Sequence, residues 1–222
     1  MDPKWARPWF AATAAAVSAG LIIQIGVTSG DTSVFGGTPL GRSLNVFSFF
    51  TIQSNLIVGI TALLLAIDPN RSSRVFSVFR LIGLVGITVT FVVFHVALSH
   101  LLDLETWAEA ANQLLHTVVP VLAIAGWCAF GPRGLTSARV ARLSVLFPVF
   151  YMAFTLIRGP LNSDWYPYPF ADVKTLGYLK VIINGVWIAL LFVALAAGAT
   201  ALDRRLAAMR PKHAEAATQA PS

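Results

Sequence analysis

The chain has 222 residues, 56% of them hydrophobic and 12% charged, with a mean hydropathy of +0.72. It is too apolar and too poor in charge to cover its own surface in water, so lipid is the solvent for most of it. The net charge of +6 then reads as a topology signal rather than the mark of a nucleic-acid partner, and the lone Cys128 excludes an intrachain disulfide or a thiolate metal cluster and is expected to serve as a small packing residue.

Apolar stretches long enough to cross a bilayer core as helices run over roughly 8–28, 44–67, 77–101, 111–130, 141–160 and 175–201. They predict an all-α, multi-pass membrane protein: a bundle of six transmembrane helices within residues 1–205, with 206–222 as a disordered cytoplasmic tail rich in Ala, Pro and Gln. The first span follows Lys4 and Arg7 and carries small residues at Ser18, Ala19 and Gly20, as a signal peptide does. Its apolar run is longer than a signal's, and losing it would oppose the charge bias of the remaining loops, so it reads as a retained span.

The link from Asp68 to Arg74 is a short basic turn, and Gly131-Pro132-Arg133-Gly134 opens another. The alternate links, 29–43, 102–110 and 161–174, are longer and richer in Gly, aromatic and acidic residues. In the last of them the run from Trp165 to Phe170 reads as an interfacial aromatic belt stiffened by two prolines. Lys4, Arg7, Arg71, Arg74, Arg80, Arg133, Arg139, Arg142, Arg204, Arg205, Arg210 and Lys212 fall on one side, 12 of 16 basic residues, and six of the ten acids fall on the other. Both termini are therefore expected in the cytoplasm, in a cell membrane that the alanine-rich spans suggest is a bacterial inner membrane.

Polar groups inside hydrocarbon are costly, so where they converge they mark a site. With a rise of about 1.5 Å per residue, Thr51, His95, His116, Arg158, Lys180 and Asn184 all fall roughly 5 to 13 Å beneath the outer face, leaving the cytoplasmic halves of the spans apolar. Ser48, Thr51 and Asn55 share one helical face, as do Asn112 with His116, His95 with Ser99, and Lys180 with Asn184. Pro120 takes away the helical partner of the His116 carbonyl.

These residue types point to acyl transfer. A threonine hydroxyl needs a positioned base to become a nucleophile, and a neutral imidazole suits that task near pH 7. Thr51 is the expected nucleophile and His116 its base. Asn55, His95, Ser99 or Asn112 are expected to donate to the oxyanion. Arg158 and Lys180 are either snorkelling anchors or partners of a fatty carboxylate, and Asn184 completes the substrate-binding layer. A carbonyl, Asp103 or Asp172 would orient the imidazole, and the sequence leaves the three open. The expected partners are a lipid or fatty-acid ester substrate and membrane lipids, with no nucleic acid, metal or cofactor. The alternatives are a haem-binding or electron-transfer protein using His95 and His116, or a small-molecule transporter, although no inverted repeat is visible.

Three segments, FFTIQSN (Phe49 to Asn55), LLHTVVP (Leu114 to Pro120) and WYPYPF (Trp165 to Phe170), together resemble the androgen-induced-protein family of six-span membrane proteins and its bacterial relatives. The resemblance runs from the first span to the end of the sixth. It implies an intramembrane threonine hydrolase that cleaves esters of fatty acids with hydroxy fatty acids, its nucleophile at Thr51 and its histidine at His116. The QSN after Thr51 is more polar than in the animal members. The stretch from Arg158 to Asp164 lacks their histidine-containing sequence, so only the fold carries across there.

Overall fold

The computed structural model describes residues 3–32 and 37–209, and among these there is no strand. Six helices are long and apolar enough to cross a membrane: Ala6–Gly30, Phe50–Ile67, Arg74–Leu101, Thr106–Phe130, Ala138–Leu161 and Val173–Ala208. The chain is thus an all-α, multi-pass membrane protein. The last helix continues through Ala208, past the expected start of the tail, while residues 210–222, with Arg210 and Lys212, lie outside the described residues.

The first span is α1 (Ala6–Gly30). A short α2 (Pro39–Asn45), capped by Thr38 accepting from the Gly41 N–H at 3.1 Å, leads through a tight turn over Val46–Ser48 into α3 (Phe50–Ile67), the second span. The third span is α4 (Arg74–Val93), capped by Ser73 and extended by a wide π-turn over Phe94–Leu98. In the fourth, α5 (Thr106–Gln113) passes through a second π-turn, Leu114–Val118, into α6 (Val119–Phe130). The fifth joins α7 (Ala138–Ser144) to α8 (Leu146–Leu161), and the sixth is α9 (Val173–Ala208).

Three features depart from the even helices that periodicity predicts. The second span does not begin at residue 44: Phe49 is extended, with ψ 134°, so Ser48 lies before the break and shares no helical face with Thr51 and Asn55. Pro120 has no N–H to offer the His116 carbonyl, and the turn before it widens into the π form. In α9, Gly177 has φ +76°, a left-handed value that glycine adopts without strain, and it separates the first turn from the long helix.

Lipid tails are as apolar as leucine, so the helices associate through close packing at small residues rather than through the hydrophobic effect. A Cβ on Gly59 would stand 2.9 Å from Val17 Cγ1, which brings α3 onto α1; one on Gly86 would stand 2.8 Å from Ser54 Oγ, which brings α4 onto α3. Gly20 admits the second π-turn in the same way, with Leu115 Cδ2 at 2.8 Å. The third span is 56% buried over its apolar window and the sixth only 17%, so α4 is the axis of the bundle and α9 its flank.

One end of the bundle holds the segments 37–49, 102–105 and 162–172; the other holds the turns at 68–73 and 131–137. This second end is not uniformly apolar, as the sequence suggested. Arg80 is buried within the third span and donates to the carbonyls of Gly131 and Pro132. Asp203 is buried in α9, and its Oδ2 accepts from Thr136 N at 3.1 Å and Thr136 Oγ1 at 2.8 Å. Main-chain groups of the 131–137 loop that face the bundle need partners, and these two side chains supply them. Cys128 is exposed and packs into no core.

Candidate active site

The break at Phe49 makes Thr51 the second residue of α3, where an N–H has no acceptor within the helix. Its side chain does not bond back to the carbonyl a turn earlier, the usual habit of threonine in a membrane helix. Instead Thr51 N–H donates to Tyr168 Oη at 3.2 Å, while Thr51 Oγ1 lies 3.3 Å from Tyr168 Oη and 3.3 Å from His116 Nε2. The two residues singled out by the sequence thus meet.

His116 rides on the second π-turn. Its Nδ1 is 3.2 Å from the carbonyl oxygen of Asn112, which can only accept, so Nδ1 carries the ring proton and Nε2 offers its lone pair to the Thr51 hydroxyl. The main chain, not Asp103 or Asp172, therefore orients the imidazole. The Phe94 ring stacks on the imidazole with centroids 4.2 Å apart and planes 25° from parallel, fixing its tilt.

Tyr168 was not among the expected site residues. The loop that carries it turns inward because Asn184 Nδ2 donates to the Phe170 carbonyl at 2.9 Å, and Asp172 caps α9 by accepting from the N–H groups of Lys174 and Thr175. The tyrosine ring stacks on Phe170 at 5.0 Å and meets Phe49 edge-on at 5.7 Å. Burial raises the phenol's pKa above its ordinary value of 10.0, so Tyr168 stays a donor at neutral pH. Because Thr51 N–H already occupies a lone pair of Oη, the phenolic proton is free to point at Thr51 Oγ1 or at an oxyanion beside it.

The other expected residues take different places. Asn55 is fully buried, and its Nδ2 donates to the carbonyls of Thr51 at 2.9 Å and Leu115 at 3.1 Å. With both protons committed it has none for an oxyanion; it clamps the helix of Thr51 to the turn of His116. Asn112 serves through its carbonyl, and its side chain donates to Glu109 Oε2 at 3.3 Å. His95 is exposed with Nε2 3.2 Å from Thr117 Oγ1, and Ser99 donates to the His95 carbonyl at 3.4 Å, so neither reaches Thr51. The Nε2 atoms of His95 and His116 lie against different threonines, Thr117 and Thr51. Arg158 donates to Asn45 Oδ1 and lies 5.4 Å above the Trp165 ring, bracing the rim. Lys180 is exposed and lines no cavity around the threonine. Asn184 holds the tyrosine loop and touches no reacting group. For Ser48 the extended Phe49 breaks the helical face, and His95 and His116 both sit on π-turns, which depart from an even 3.6-residue period.

Two cavities meet at the Thr51, His116 and Tyr168 wall, with Phe94 and Leu98 as the other shared members. The inner one, about 60 Å³, lies between α3, α4, α8 and α9 and is lined mostly by apolar groups such as Val89, Met152 and Ile188. The outer one, about 420 Å³, extends toward Leu101, Leu102 and Leu104 and includes the polar side chains of Gln24, Thr28, Asp31 and Asn112. Thr51 stands at the junction, within reach of a group placed in either. Comparison of the chain with family models, with curated proteins and with solved structures returned no match.

Proposed function

We propose that the chain is an intramembrane lipid-ester hydrolase in which Thr51 is the nucleophile, His116 the general base and Tyr168 the oxyanion donor. The observation that carries this reading is the ordered contact from Asn112 O through His116 to the Thr51 hydroxyl, at 3.2 Å and 3.3 Å. A threonine next to a main-chain-oriented imidazole, at the mouth of two cavities within a membrane, has the parts that acyl transfer to an alcohol requires.

His116 Nε2 takes the Thr51 hydroxyl proton as Oγ1 attacks the ester carbonyl carbon, and the carbonyl π electrons move onto oxygen. The resulting oxyanion is stabilised by the Tyr168 O–H. Collapse breaks the bond to the alkoxy oxygen, which leaves as the alcohol with the proton from His116. Water then attacks the acyl-Thr51 ester, giving its proton to His116. The second collapse returns that proton to Thr51 Oγ1 and releases a carboxylic acid. Esters of fatty acids with hydroxy fatty acids belong to the lipid-ester class that this site takes.

The charge bias of the loops supports a site at the exterior end, with both termini in the cytoplasm of a bacterial cell. A hydroxyl-reactive phosphonate is expected to label the detergent-purified protein. Thr51→Ser keeps labelling, and Thr51→Ala abolishes it while the fold, followed by circular dichroism, is unchanged. Equal labelling of wild type and Thr51→Ala would reject Thr51 as the nucleophile.

A further inference from the structure

The fifth and sixth spans are the least buried of the six, over 22% and 17% of their apolar windows, yet both line the inner cavity. Part of its wall is sealed: Val89, Thr90, Thr155 and Ala171 are buried. Met152 on α8, with Gly185 and Ile188 on α9, lines the same cavity and keeps some of its surface exposed, as those two do. The cavity therefore opens sideways between these two spans, onto the lipid-facing surface of the bundle. At that mouth a Cβ on Gly185 would overlap the Met152 methyl, so a flexible thioether chain closes the gap between the helices.

The inner cavity also lies on the deep side of Thr51, since its wall reaches Val89, Pro148 and Ile188 near the middle of their spans. The hydrocarbon tails of a bilayer occupy that depth. The outer cavity extends the other way, toward Leu101, Leu102 and Leu104, and has Gln24, Thr28, Asp31 and Asn112 in its wall. It suits the alcohol limb of an ester and the water that must replace the alcohol beside His116, which leaves the inner cavity to the acyl limb. By the scale on which a cavity of about 150 Å³ takes benzene, about 60 Å³ holds roughly two or three non-hydrogen atoms. A fatty acyl chain thus has its first carbons enclosed and the remainder passing out through the mouth.

Building on the hydrolase reading, we infer that the gap between α8 and α9, closed by Met152 against Gly185, is a lateral port through which the acyl chain of a lipid ester passes between Thr51 and the bilayer. The protein encloses the ester carbonyl and the first carbons of the chain, and the rest stays in lipid. Long fatty acyl groups are accepted without a ceiling on length, because carbons beyond the mouth keep the surroundings they had before binding.

Decyl esters of acetic, octanoic and palmitic acid test the port on the full-length protein in mixed micelles. The acetyl group ends inside the cavity, and the other two chains cross the mouth. Wild type is expected to turn over all three. Gly185→Leu drives the Met152 methyl into the gap, and Met152→Phe fills the gap with a ring. Each is expected to lower the palmitate-to-acetate ratio of kcat/KM about tenfold or more, with acetate turnover remaining measurable as proof of folding. An unchanged ratio in every variant that keeps acetate turnover, or loss of acetate turnover in both, overturns the port and leaves hydrolysis at Thr51 standing. A wild type that turns over acetate but neither longer ester does the same. No turnover of any of the three esters by wild type overturns the hydrolase reading and the port with it.

Discussion

Replacing Tyr168 with phenylalanine isolates one oxygen atom. The ring's contacts with Phe170 at 5.0 Å and Phe49 at 5.7 Å survive the change, so the loop keeps its place. What is lost is the O–H beside Thr51 Oγ1 and the acceptor of Thr51 N–H. Removing one oxyanion donor costs about 10²–10³ in kcat. Here the freed Thr51 N–H remains close to where the oxyanion forms and replaces part of the loss, so the expected fall is about 100-fold, or about 2.7 kcal/mol in the barrier. KM should change little, because a donor that acts on developing charge contributes mainly in the transition state. Steady-state kinetics of the detergent-purified variant on a lipid ester separates the two constants, and the rate of phosphonate labelling of Thr51 should fall in parallel. A variant within about threefold of wild type in kcat would refute the assignment of Tyr168 to the oxyanion.

The same tyrosine gives a pH signature: the unfolded chain releases the phenolic proton near the ordinary value of 10.0 while the buried phenol retains it, so stability is lost as pH rises above about 10. Denaturation scans should show this decline in wild type and a shallower one in Tyr168→Phe. Asn55→Leu withdraws both donors that join Thr51 O to Leu115 O, and is expected to lower stability by about 2–3 kcal/mol and kcat at least tenfold. Gly20→Val would press on Leu115 and Leu114 and displace the histidine turn, lowering kcat, whereas Gly26→Ala, with nothing within 4 Å of its added Cβ, serves as the neutral control. Arg80→Met frees the carbonyls of Gly131 and Pro132 at the far end, so it should cost about 2–3 kcal/mol in chemical denaturation while kcat per folded molecule stays at the wild-type value.

The six spans were legible because length and apolarity are set by bilayer thickness, a constraint that acts on composition alone. Thr51 and His116 were legible for a related reason: a hydroxyl and an imidazole in lipid each need an explanation, and a common depth supplies a shared one. Neighbour relations were harder to read. Ser48 would share a face with Thr51 in an even helix, but the extended Phe49 intervenes, and His95, on a π-turn, meets Thr117 rather than Thr51. Asn55 is expected from its spacing on the Thr51 face as an oxyanion donor, yet its role as a clamp follows from where its two protons go, which no spacing encodes. Tyr168 stayed hidden because an interfacial tyrosine and an inward-turned one look alike in sequence; the distinction rests on the long-range bond from Asn184 to Phe170 O. The roles of Arg80, counted in the sequence only as a charge of the inner side, and of Asp203 were not legible, because the carbonyls and N–H they serve belong to a loop more than 50 residues away from either.

The wide turn at Leu114–Val118 has a practical consequence for anyone redesigning this span. It accommodates about one residue more than an ideal turn, so the halves before and after it are offset by the roughly 100° that one residue subtends. Deleting a single amino acid there would regularise the rod and preserve its greasy character, yet it would swing the imidazole around the cylinder and away from the hydroxyl. Straightening this segment would leave a protein that inserts and assembles but has lost its chemistry.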